Sequence, residues 1–282
     1  MSDTTKNDLL RVGAVQFAPE HKNIRVNLKK IGSVLESADA DLLVFPELSL
    51  SGYAFSSAEE ARPFALAIDS SEIFRLQDIA RNSKIALVLG FIETAEGKLY
   101  NSSIAINTDG SVAGLYRKVH LFYYEKKVFS GGDLGFPVYD LKTQRGISLK
   151  LGMQICYDWR FPEASRSLAL AGAELIAIPS NIVTTTGILK STLQVRAFEN
   201  KVIVIFADRI GTEVLQAESG NQELIFRGES TIIDYNGEVL AILSTIEESI
   251  CYADVNPSKT RSKDITNLNN ILSDRRKDQY SI

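Results

Sequence analysis

The sequence predicts an α/β protein, a four-layer α-β-β-α sandwich with an internal pseudo-two-fold and an extended tail over about residues 257–282. Short apolar runs of strand length alternate along the chain with segments of helical periodicity. Some of these runs echo one another: DLLVFPEL (41–48) resembles ELIAIPSN (174–181), and VGAVQFA (12–18) resembles LGMQIC (151–156). Each half then supplies strand, helix and strand, and the two halves pack as two sheets with helices outside. No low-complexity linker interrupts the pattern, so residues 1–282 read as one domain.

The elements follow in order. RVGAVQFAP (11–19) is apolar, partly β-branched and closed by Pro19, as a buried strand is. NIRVNLKKIGSVLESA (23–38) has an apolar helical face with a basic opposite side. DLLVFPE (41–47) and KIALVLGFIET (84–94) are further strands. LYNSSIAINTDGSVAGLYRK (99–118) is a strand pair turning at Asn107-Thr108-Asp109-Gly110, residues that tolerate positive φ. The pattern then resumes with strand ISLKLGMQIC, helix FPEASRSLALAGA, strand ELIAIPS, helix ILKSTLQVRAFEN and strand KVIVIFADRI. Antiparallel strands around Tyr235-Asn236-Gly237-Glu238 complete the fold.

Composition narrows the function. The chain is 45% hydrophobic and 23% charged with a net charge of −4, so no basic field favours nucleic acid or an anionic membrane. Its apolar runs fall short of a membrane span, and MSDTTKNDLLRVGAV has no apolar core of signal-peptide type. A cytoplasmic protein is the expectation. Cys156 and Cys251 are too few for a disulfide framework, and Cys251 reads as core. The two histidines, His21 and His120, lie far apart and outside any zinc-type cluster, so neither metal nor cofactor is expected.

Three polar residues end or follow apolar runs where a strand hands over to a loop: Glu47 in LLVFPELSLSGY, Lys118 in YRKVHLF and Cys156 in GMQICYDWRFPE. Taken singly, Glu47 is equally a solvated turn residue, Lys118 a basic strand end and Cys156 a small buried hydrophobe. Taken together they suggest a nucleophilic cysteine. A thiol is mostly protonated at neutral pH and needs a base, and scarce histidine leaves a carboxylate as the candidate. A buried lysine would stabilise both the thiolate and the oxyanion of a tetrahedral intermediate. The Tyr157 N–H would add an oxyanion donor if the chain turns sharply there, as Pro162 and Glu163 at a helix start suggest.

These same motifs, FPELSLSGY, YRKVHLF and ICYDWRFPE, resemble in order and spacing the three signatures of the nitrilase superfamily, the carbon–nitrogen hydrolases. The resemblance extends through QVRAFENKVIVIFADRIG, FRGESTIIDYNGEV and the tail SDRRKDQY. It implies the same sandwich fold, with Glu47 as general base, Lys118 supporting the tetrahedral intermediate and Cys156 as nucleophile. It also implies a second glutamate, Glu125 in EKKVFSGGD, followed by Phe129 and Gly132, that holds the substrate amino group and helps position the lysine.

Family members that strictly cleave nitriles usually read Cys-Trp-Glu at the nucleophile, whereas this chain reads Cys156-Tyr157-Asp158, more like the amidase branches. YRKVHLF and the DRR tail also resemble a branch that includes aliphatic nitrilases. The expected substrate is a small aliphatic amide, with a small nitrile second and a carbamoyl compound third. Tyr53, Phe122, Trp159, Arg160 and Asn181 are expected to shape the pocket, with Arg160 either binding a substrate carboxylate or pairing with Glu163 or a partner chain. His120 reads as a structural hydrogen-bonding residue. The tail, with Ile265, Leu268, Ile271 and Leu272, is either a solvated terminal helix or an arm over a neighbouring subunit. The resemblance favours the arm and a homodimer, or a larger homo-oligomer, formed through the helices after Cys156 and after residue 187.

Overall fold

The computed structural model describes residues 9–184 and 187–280; the first residues read for a leader, and the end of the tail, lie outside the described residues. The first half of the chain runs β1 Leu10–Gln16, α1 Ile24–Ser37, β2 Leu42–Val44, the single turn α2 Ala58–Ala61, α3 Ser71–Ser83, β3 Ala86–Ala95, β4 Lys98–Ile106, β5 Val112–Arg117 and the single turn α4 Glu125–Val128. The second runs β6 Val138–Lys142, β7 Ser148–Met153, α5 Pro162–Leu170, β8 Leu175–Ser180, α6 Leu189–Asn200, β9 Ile203–Asp208, β10 Ile210–Ala217, β11 Gly220–Arg227, β12 Thr231–Ile233, β13 Val239–Ile242 and β14 Ser249–Val255.

Two six-stranded sheets result, ordered β14-β1-β2-β3-β4-β5 and β6-β7-β8-β9-β12-β13. In each, the second, third and fourth strands are parallel and their flanking partners antiparallel. The echoing sequences occupy equivalent places, β1 matching β7 and β2 matching β8, so the repeat is one of topology. Parallel strands are covered on both faces and read as continuous apolar runs. In β2, Leu42 and Val44 face the opposing sheet and meet Leu151 and Leu175, while Leu43 faces outward onto Ile31 and Leu35 of α1 and Leu76 of α3. On the far side, Leu168 of α5 and Leu193 and Ala197 of α6 cover β7–β9. Helices therefore lie outside two apposed sheets.

Four local readings change. β2 stops at Val44 rather than running to Glu47, because Pro46 has no N–H to continue the ladder. Helix α3 and strand β6 complete the two halves beyond the expected elements, and the hairpin β10–β11 forms a small sheet of its own. The tail carries no α-helix in its described part. It has 3-10 turns at Pro257–Thr260 and Lys277–Gln279, so Ile265 and Leu268 form no helical stripe and stand exposed. Among the described residues no helix is long and apolar enough to cross a membrane.

Candidate active site

Glu47, Lys118 and Cys156 converge at one end of the apposed sheets. Glu47 follows β2 on a tight turn at which Leu48 takes φ 48°. That turn lies so close to β3 that a Cβ on Gly90 would stand 2.5 Å from the Leu48 nitrogen. Lys118 directly follows β5, and its carbonyl accepts from the Gly132 N–H at 2.8 Å. A Cβ on Gly132 would lie 2.0 Å from the Arg117 carbonyl oxygen, so only glycine allows this approach. Cys156 follows β7 at φ 43°, a left-handed conformation that a non-glycine residue holds only where its surroundings dictate it. The 3-10 turn Cys156–Arg160 leads directly into α5, with Pro162 at its first position.

The charges form a connected buried cluster. Lys118 Nζ is 2.7 Å from Glu47 Oε1 and 2.7 Å from Glu125 Oε1. The Asn101 amide donates to the same Glu47 oxygen at 2.6 Å, and the Asn181 amide donates to the Glu47 carbonyl at 3.0 Å. Glu47 Oε2 is buried without a partner, leaving one carboxylate oxygen free. Glu125 Oε1 also accepts from the Tyr53 hydroxyl at 2.9 Å, and its Oε2 from the Phe122 N–H at 3.0 Å.

Burial and charge set the ionisation of this cluster. Burial pushes Glu47 up to about 7, against the pull of Lys118. Burial disfavours the Lys118 ammonium, but Glu125 and Glu47 outweigh it and hold the lysine charged above its usual range. Burial, then the neighbouring Glu47, keep the Cys156 thiol well above its ordinary value, while Lys118 and the Asn181 N–H pull the other way. Near neutral pH the thiol is thus protonated, and Glu47, which titrates there, can take its proton when in the carboxylate form.

A third carboxylate braces the site. Asp158, fully buried, accepts from the Ile155 N–H at 2.9 Å and the His120 N–H at 3.1 Å. The Tyr116 hydroxyl donates to it at 2.7 Å, and His120 Nδ1 lies 2.7 Å away. His120 also stacks on Phe161 with ring centroids 3.7 Å apart, so its ring is occupied in structure.

Of the expected pocket residues, Phe122, Trp159, Arg160 and Asn181 line one cavity with Cys156, and Tyr53 does not. A cavity of about 30 Å³ lies against Cys156, walled by Phe122, Tyr157, Trp159, Arg160 and Asn181, with Ile182, Val183 and Thr184 as lining the sequence reading missed. Tyr157 sits in the first turn of the 3-10 segment, where a backbone N–H has no partner within the turn. Arg160 is exposed and lays its guanidinium over the Trp159 indole, 4.9 Å from the ring centroid. Tyr53 reaches Glu125 rather than the thiol wall. Asn101, unread in the sequence, is signalled only by a carboxamide inside the buried strand LYNSSIAI.

The family model for carbon-nitrogen hydrolases matches residues 11–264. A nitrilase of Pyrococcus abyssi is 38% identical over 96% of this chain and 99% of its own. An N-carbamoylputrescine amidase of Solanum tuberosum is 32% identical over 98% of this chain and 95% of its own. Among solved structures, a mutant of the amidase from Nesterenkonia sp. AN1, showing covalent addition of the acetamide moiety of fluoroacetamide at its active-site cysteine, superposes with a TM-score of 0.76. It is 25% identical, over 98% of this chain and 97% of that one. Topology, motifs and similarity along nearly the whole chain agree, and this protein is a carbon–nitrogen hydrolase, a member of the nitrilase superfamily.

Proposed function

We propose that this hydrolase cleaves the C–N bond of a small aliphatic amide through a thioester on Cys156. The observation that carries this reading is the free Oε2 of Glu47, whose other oxygen is fixed by Lys118 and Asn101 and whose charge is close enough to raise the Cys156 thiol. Cys156 Sγ attacks the carbonyl carbon as its proton passes to Glu47. Lys118 Nζ and the Tyr157 N–H stabilise the oxyanion. Glu47 returns the proton to the nitrogen, the C–N bond breaks, and ammonia leaves an acyl thioester. Water, deprotonated by Glu47, then attacks the thioester; its collapse releases the carboxylic acid, and Cys156 regains its proton. Glu125 keeps Lys118 in place and charged, and faces the substrate amino group.

The small cavity favours a short substrate, and Cys156-Tyr157-Asp158 favours an amide. A small nitrile is the second reading, supported by the 38% identity to a protein named nitrilase. We place the enzyme in the cytoplasm, in keeping with its two free cysteines. We further infer a homodimer, because α6 and the residue before it expose Ile188 at 63%, Val195 at 47% and Phe198 at 56%.

The test is intact-protein mass spectrometry of enzyme quenched during turnover of acetamide, propionamide and the matching nitriles. An acyl adduct on Cys156, absent in Cys156→Ala, is expected, with ammonia released faster from the amides. Full activity in Cys156→Ala would falsify the mechanism.

A further inference from the structure

A second chamber of about 20 Å³ adjoins the cavity that holds Cys156, and Phe122 and Val183 belong to the walls of both. Much of its lining is hydrocarbon, from Phe55, Val128, Leu215 and Leu224. Its polar lining groups, Tyr53, Tyr123, Tyr124 and Glu125, each already have a partner: Tyr53 and Glu125 meet at 2.9 Å, Glu125 also holds Lys118 and the Phe122 N–H, Tyr123 reaches Gln222 and Tyr124 accepts from the Glu218 N–H. A group entering this chamber therefore finds chiefly apolar surface, which suits a methylene chain. The Phe122 backbone is pinned by Glu125 Oε2, whereas its ring is half-buried and leans on Tyr157 at 5.2 Å. Removing the ring takes away a wall without releasing the segment that carries Glu125.

We propose that Phe122 partitions the substrate cavity from this apolar chamber and thereby sets the acyl-chain length the enzyme accepts, the chamber serving straight-chain aliphatic acyl groups. The inference rests on the reading of the Cys156 cavity as the substrate site. It is tested by alkylation, which needs no amide turnover: Cys156 labelling by 2-chloroacetamide and by 2-chlorohexanamide is followed by intact mass, chloride leaving as the S–C bond forms. Phe122→Ala is expected to raise the ratio of long-chain to short-chain labelling rates by about tenfold or more, the discrimination one or more methylenes supply in an apolar pocket. Refilling the chamber in Phe122→Ala/Leu224→Trp should return the ratio toward wild type. Phe122→Leu, a smaller truncation, should move it in the same direction and decides the matter if Phe122→Ala does not fold. An unchanged ratio in the variants that fold overturns the proposal. Normal labelling without ammonia release from any amide would instead overturn the amide reading and leave the partition standing.

Discussion

Asp158 and His120 are 38 residues apart, yet one Asp158 oxygen meets both the backbone N–H and the ring Nδ1 of His120. Its other oxygen holds Ile155, the residue before the nucleophile. One buried carboxylate thus sets the distance between the strand end that carries Lys118 and the turn that carries Cys156. Asp158→Asn would aim an amide N–H at groups that are themselves donors. It should cost about 2 kcal/mol of stability. It should also lower kcat about 100-fold through misplacement of the reacting groups. His120→Asn leaves both backbone contacts to Asp158 and should keep turnover within about tenfold of wild type. Steady-state kinetics of both variants check this, and abolished turnover in His120→Asn would instead mark the ring as a catalytic base.

The ionisation of Glu47 should appear as an acid limb. With Glu47 raised to about 7, its carboxyl is protonated below that pH and unable to take the Cys156 proton. The alkylation rate of Cys156, and kcat/KM for an amide, should therefore rise with pH through a midpoint near 7. In Glu47→Gln that midpoint should vanish, and alkylation should instead follow ionisation of the thiol itself, which burial still holds up once the Glu47 charge is gone. The same midpoint persisting in Glu47→Gln would mean that another group supplies the base.

Gly90 makes the Glu47 turn possible. Besides the Leu48 nitrogen, an added Cβ would meet Glu47 Cα at 2.7 Å, and both are backbone atoms that cannot rotate away. Gly90→Ala should cost about 1–3 kcal/mol, the usual range for overpacking. Because the displaced backbone carries the base, kcat should fall about 100-fold while KM changes little. Thermal unfolding and steady-state kinetics on one preparation separate the two effects.

The catalytic candidates were legible because each is a reactive side chain that interrupts an apolar run at its end. The repeat of the two halves was legible for a related reason: buried parallel strands repeat their composition, and β2 and β8 kept enough of it to be matched. Asn101 was not legible, since its role depends on β4 lying beside β5 and a carboxamide among serines names no partner. The bracing role of Asp158 was equally hidden. Its residue type was read for substrate class, but Tyr116 and His120 reach it only after the two sheets have packed. The hairpin β10–β11 escaped because Glu213 and Arg227 break any strand alternation there.

Glu213, on β10, is the clearest case of a functional brace far from the reacting atoms. Its Oε2 accepts from the Tyr53 and Ala54 N–H groups, each at 2.8 Å, while Oε1 pairs with the buried Arg209. Tyr53 in turn reaches Glu125, which holds Lys118. Burial alone would raise the Glu213 carboxyl, but His21 and Arg209 prevail and hold it at about 2, below its ordinary 4.5. A lowered carboxyl contributes stability above pH 4.5 that is lost as the pH falls from 4.5 toward 2. Glu213→Gln leaves Arg209 charged and unpaired in the interior, so at pH 7 it should cost about 3–5 kcal/mol. The difference from wild type should shrink as denaturation is repeated at successively lower pH below 4.5. A constant difference across that range would show that the carboxylate charge is not what secures the Tyr53 loop.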